Sequence, residues 1–225
     1  QIPFSFELPA EEDVSMIAAG FRLAANWGQT FTRSFQEIFT KTSLLEGIST
    51  EEEATIKAEY HDLFFRVSRA NGHKRLVLKS PPQLGRVRLL LEMYPDAKFV
   101  FIRRNVFDVF SSNRKLWRSF EQTWLQEVDK DTVRENILWS YDRLHAAYER
   151  DKALFREGQL AEVTFEEFVE APIATMQRVY EELDLGAFSE ARPHLEAFLE
   201  KAHQKEQTSY ALPEEDRAAI EARLG

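Results

Sequence analysis

Cysteine is missing from all 225 residues. Its absence excludes disulfides, thiolate nucleophiles and thiolate metal sites, and it fits a reducing compartment. Long apolar runs are missing as well. None approaches the ~20 residues that span a bilayer, so no membrane span is expected. The opening QIPFSFELPA has no basic n-region and no apolar h-region, unlike a signal peptide. A cytoplasmic protein is the expectation. Glycine is scarce: there are eight, none clustered, and no G-x-x-x-x-G-K-[ST] string occurs. The histidines at 61, 73, 145, 194 and 203 lack paired metal-ligand spacing, so no metal is expected. No G-x-S-x-G elbow supports a hydrolase.

Excess positive charge is also lacking. The formal net charge is −9, which argues against non-specific nucleic-acid binding, since that depends on Lys and Arg contacts to phosphate. One segment departs from this balance. Lys74 to Arg118 holds eleven Lys or Arg and three acids, Glu92, Asp96 and Asp108. Such local asymmetry points to an anionic ligand rather than to a generally basic surface.

Hydrophobic spacing supplies the elements. Residues 1–10 read as extended, and 9–27 as helical with acids in the first turn. Phe31, Phe35 and Phe39 recur every four residues within a helical stretch over 29–40. That stripe fits either a core or an acceptor pocket. Ser49 or Thr50 caps a helix that Asn71-Gly72 stops. RLVLK is then a buried strand, SPPQLGRVRLLLEMY a helix with Ser80 as N-cap, and KFVFIR a second strand. Asn105 caps the next helix. Helices follow over about 131–156 and 171–183, with LAEVTF between them as a third strand and a short helix at the end. The fold class is α/β, a small parallel sheet flanked by helices in a single domain, 1–225. Segments 76–78 and 98–102 are expected as adjacent parallel strands with a right-handed crossover.

In an open parallel sheet, ligands bind beyond the carboxyl ends of the strands. Lys79-Ser80 ends the first expected strand and Arg103-Arg104 the second, each beside a helix N-terminus. A phosphate or sulfate site is the inference, against solvated charges at loop starts. Strand alternation sends Arg103 to the face opposite Arg104.

LVLKSPPQ, YPDAKFVFIRRNVFDVFSS and VTFEEFVEAP resemble the sulfotransferases that use 3′-phosphoadenosine 5′-phosphosulfate (PAPS). The resemblance runs from about Phe4 to Leu224 and is strongest over 76–112. It implies a P-loop NTPase-like fold with a helical cap (about 10–72) on a core (73–225). It also implies transfer of a sulfuryl group from PAPS, without a metal, to a hydroxyl or amine of a small-molecule, lipid or carbohydrate acceptor. Adenosine 3′,5′-bisphosphate is then the other product. By this resemblance Arg104 and Ser112 hold the 3′-phosphate, though an ordinary helix Ser is the plainer reading of Ser112. Phe165 falls where the family often has an aromatic near the adenine, or it packs in the core. Lys205 lies in a segment resembling one that closes over the cofactor, or is simply solvated. Lys79 neutralises the leaving group.

Two features depart from the family pattern. The family's Gly-rich phosphate loop has no counterpart here, and the resemblance implies the expectation that it lies upstream of residue 1. Gln83 stands where a His often serves as base, and an amide orients but does not deprotonate. Gln83 also fits a capping-box partner for Ser80. The alternatives are therefore a displaced base, or a catalytically inactive nucleotide- or partner-binding relative. A P-loop kinase relative is disfavoured, because no Asp at a strand end is placed to hold Mg²⁺.

Overall fold

The computed structural model describes residues 11–18, 27–119, 129–202 and 212–224. In chain order the elements are α1 (Glu12–Ala18), α2 (Trp27–Thr30), α3 (Phe35–Thr42), α4 (Thr50–Ala70), α5 (Val87–Met93), β1 (Phe99–Arg103), α6 (Val106–Ser119), α7 (Lys130–Asp151), β2 (Leu160–Thr164), α8 (Phe165–Glu170), α9 (Pro172–Glu182), α10 (Phe188–Ala202) and α11 (Glu214–Leu224). They form two compact units. One comprises Gln1–Met93 with Leu116–Lys152, and the other Tyr94–Lys115 with Ala153–Gly225. Among the described residues no helix is long and apolar enough to cross a membrane.

The first unit is helical. Its longest early helix, α4, begins at a capping box: Ser49 Oγ accepts the Glu52 N–H at 3.1 Å, and Glu52 accepts the Ser49 N–H at 2.7 Å. It ends at Asn71, after which Gly72 takes φ +68°, the left-handed turn that glycine adopts without strain. The phenylalanine stripe is core. Phe35 and Phe39 are buried, with ring centroids 5.2 Å apart, and Trp139 stands edge-on to Phe39 at 5.8 Å. Trp117 meets Phe35 at 5.1 Å, also edge-on. Such pairs contribute roughly 0.5–1.5 kcal/mol each beyond the area they bury. Phe31 lies outside α3, ahead of a short 3-10 turn, and is 37 % exposed.

The second unit carries the sheet, which differs from the sequence expectation. β1 pairs in parallel with β2, with Phe99 opposite Leu160 and Arg103 opposite Thr164. Segment 76–78 is not a strand. Residues 74–80 have no regular secondary structure, and Val77 is 92 % exposed. An apolar run becomes a buried strand only where a neighbour takes its backbone groups and a second layer covers its side chains, and Val77 is not covered. β2 meets that condition. Ala161 and Val163 are buried in a cluster with Val179 and Leu183, while Glu162 on the opposite face is half-buried. The buried Gln159 fixes the entry to β1: its amide donates to Pro95 O at 2.7 Å, and its carbonyl accepts the Phe99 N–H at 2.7 Å.

The stretch expected as one helix from Ser80 to Tyr94 is split into a 3-10 turn, Pro81–Gly85, and then α5. Two consecutive prolines remove two N–H donors, and Gly85 brings the turn against the backbone at Ser43. A Cβ at position 85 would lie 2.5 Å from Ser43 O. Backbone meeting backbone leaves no flexible atom to yield. Gly85→Ala is therefore expected to destabilise the protein by about 1–3 kcal/mol or more, read from urea unfolding midpoints. An unchanged midpoint would show that the turn is free to move away.

Candidate functional site

In the first unit three consecutive acids at the entry to α1, Glu11, Glu12 and Asp13, meet the segment 79–86, one rung after another. Lys79 pairs with Glu11, although its own side chain is 77 % exposed. Ser80 is buried and donates its hydroxyl to Asp13 at 2.7 Å. It therefore makes no side-chain cap, contrary to expectation. Gln83 donates its amide N–H to Glu12 rather than closing back on Ser80. The other end of that amide, Oε1, is buried without a hydrogen-bond partner.

Beneath these rungs lies Arg86, which the sequence reading did not single out. Its side chain is fully buried. It donates to both oxygens of Asp13, at 3.2 and 3.0 Å, to Thr42 O at 2.9 Å and to the Tyr60 hydroxyl. Burial raises the affinity of Tyr60 for its proton, so the phenol stays neutral. The signal in the sequence is an Arg between Gly85 and Val87 on the side of an apolar helical pattern, together with acids at the start of α1 that had been assigned to the helix dipole alone.

Glu12 is the titratable group that this arrangement perturbs. It is buried, and burial raises its pKa. Hydrogen bonds from its own backbone and from Gln83 oppose the rise, Asp13 adds to it, and Arg86 opposes it. The net result is a carboxyl that holds its proton more tightly than usual, next to the position where a His was expected.

In the second unit the parallel register sets the geometry. Arg103 and Thr164 are the last paired residues, so Arg104 and Phe165 leave the two strands side by side. Arg104 lies over the Phe165 ring, with Cζ 4.3 Å from its centroid. Its Nε is buried and has no hydrogen-bond partner. Asp108 approaches to 3.9 Å, which is ion-pair reach but too long for a hydrogen bond. Arg103 points elsewhere: it is 62 % exposed and pairs with Glu162 at 3.8 Å. Asn105 starts α6 by accepting the Phe107 N–H at 2.9 Å. Ser112 is exposed on α6, one helical turn beyond Asp108 and so on the same face.

The structure thus brings Arg104 together with Phe165. Lys79 and Gln83 belong to the other unit, where they are bonded to Glu11 and Glu12 at the entry to α1. Lys205 lies outside the described residues.

A family model described as the sulfotransferase family matches residues 8–190. Two curated relatives are the omega-hydroxy-beta-dihydromenaquinone-9 sulfotransferases Stf3 of Mycobacterium bovis and of Mycobacterium tuberculosis, each 28 % identical over 153 residues. The aligned stretch covers 68 % of this chain but 39 % of either relative, so the chain spans well under half of their length. No solved structure matches the chain.

Glu12 makes stability depend on pH. Its pKa in the folded chain is raised above its ordinary value. The folded state therefore binds the proton more tightly, and the stability this contributes is lost as pH rises through the raised pKa. Glu12→Gln is expected to be more stable than the native protein at neutral pH. The difference should vanish as pH falls below the ordinary glutamate range. Urea titrations at several pH values would show it, and a gain independent of pH would mean that Glu12 is not the group involved.

Proposed function

The chain belongs to the sulfotransferase family, and we propose that it transfers the sulfuryl group of PAPS to an acceptor hydroxyl. The observation that carries this reading is Arg104 beyond the carboxyl end of β1, with a buried Nε–H that lacks an acceptor. Leaving such a donor unsatisfied costs about 1–3 kcal/mol. A phosphate oxygen removes that cost, and the planar guanidinium suits phosphate geometry. Arg104 with Ser112 is the proposed holder of the 3′-phosphate. The relatives' names specify an omega-hydroxy-menaquinone, which supports a hydroxyl acceptor of lipid character.

Bound PAPS supplies an activated sulfuryl group; the remaining chemistry belongs to the chain. As the acceptor oxygen bonds to sulfur and the bridging S–O bond breaks, the acceptor proton must leave and negative charge must be met on the departing phosphate. Lys79 is the proposed cation for that charge, released from Glu11. Glu12 is the proposed base, in place of the expected His. Burial makes it more basic than an exposed carboxylate, and the Gln83 amide holds it in orientation.

A second reading, binding without turnover, is favoured by Gln83 itself, since its amide accepts no proton. Two experiments separate them. Calorimetry with adenosine 3′,5′-bisphosphate should show Arg104→Ala weakening binding about ten- to a hundredfold, the loss of a charge-assisted hydrogen bond of about 1.5–3 kcal/mol, with Arg103→Ala nearly neutral. Equal effects of the two would remove the phosphate site from Arg104. In sulfate-transfer assays over a panel of hydroxyl acceptors, Glu12→Gln should lower turnover about 10²–10⁴-fold with bisphosphate affinity unchanged. A large gain from Gln83→His over a very slow native protein would instead support the second reading.

A further inference from the structure

We propose that Phe165 is a positioning residue for Arg104: its ring holds the guanidinium in place for the ligand phosphate. The inference rests on the assignment of Arg104 to the 3′-phosphate.

Backbone geometry fixes the ring before any ligand arrives. Thr164 is both the last residue of β2, opposite Arg103, and the N-cap of α8. Its hydroxyl accepts the Glu167 N–H at 3.1 Å, and Glu167 accepts the Thr164 N–H at 2.8 Å. This reciprocal pair locks the first turn of α8, and Phe165 is the first residue of that turn. One strand away, Arg104 follows the last residue of β1 and precedes α6 by two positions. The two side chains therefore meet because of register. At 4.3 Å the contact is well inside the ~6 Å range of a cation–π interaction.

The contact matters because Arg104 has a competitor for its charge. Asp108 stands 3.9 Å from Nε, one helical turn along the chain. A guanidinium free to rotate would tighten this ion pair into a hydrogen-bonded one, leaving less of the cation for a ligand. The ring covers one face of the guanidinium and keeps Nε out of bonding reach of Asp108. A pre-placed cation loses less freedom when the phosphate binds. The same contact means that the ring face beneath Arg104 is occupied and closed to a base.

The test compares two probes, adenosine 3′,5′-bisphosphate and adenosine 5′-phosphate, which share the base and differ at the 3′-phosphate. Calorimetry on the complete native protein would use Phe165→Leu, Phe165→Tyr, Arg104→Ala and the double variant Phe165→Leu/Arg104→Ala. The expected result is a roughly tenfold loss for the bisphosphate in Phe165→Leu, on the scale of a partly desolvated cation–π contact. The 5′-phosphate should change little, Phe165→Tyr should retain binding, and the double variant should bind no more weakly than Arg104→Ala. Equal loss for both probes would place the ring on the adenine and overturn the inference while leaving the phosphate assignment intact. Additive losses in the double variant would overturn it too. If Arg104→Ala keeps the native preference for the bisphosphate, the phosphate assignment itself fails.

Discussion

One buried ion pair organises the first unit. Arg86 reaches α1 through Asp13, α4 through Tyr60 and the end of α3 through Thr42 O, and its side chain is wholly removed from water. A charge in that position is tolerable only because each nitrogen that donates is aimed at an oxygen. Truncating one partner would strand the other, which is why such pairs are costly to break even where their net contribution to stability is small. The pair also sets the register between α1 and the 79–86 segment. Once Asp13 is fixed on Arg86 and Ser80, Glu12 falls opposite Gln83 and Glu11 opposite Lys79. The positions proposed for chemistry are thus consequences of a structural anchor below them.

That arrangement leaves Glu12 in tension. The fold would be better served by a neutral side chain there, yet a carboxyl that holds its proton too tightly is what a base near neutral pH needs. For a Glu12 that serves as the proposed base, stability and chemistry pull in opposite directions at one residue.

Much of this was legible in the sequence. The caps of α4, the start of α6 after Asn105 and the strand at LAEVTF follow from local rules that tertiary context did not override. So did the separate directions of Arg103 and Arg104, because alternation along a strand is geometric. The strand at 76–78 was misread because an apolar run says nothing about whether a neighbour exists to pair with it. Ser80 and Gln83 were misread because local capping, in which both side chains accept from backbone N–H groups, says nothing of carboxylates some seventy residues away in sequence, to which both donate instead. The role of Arg86 was missed because its partners come from three separate segments. α10 passes through Pro193, a residue that usually ends a helical pattern, so nothing in the spacing announced it.

The pairing of β1 with β2 also shapes how this protein is made. Arg103 and Thr164 are 61 positions apart along the chain, with α6 and α7 in between. Closing so long a loop is entropically slow compared with forming any helix in it. On the ribosome, the guanidinium at 104 emerges well before its ring at 165 exists. Until then Asp108, one helical turn away, is the charged partner within its reach. The Arg104–Phe165 contact should therefore be among the later native contacts to form, and its appearance a natural reporter that the second unit has finished folding.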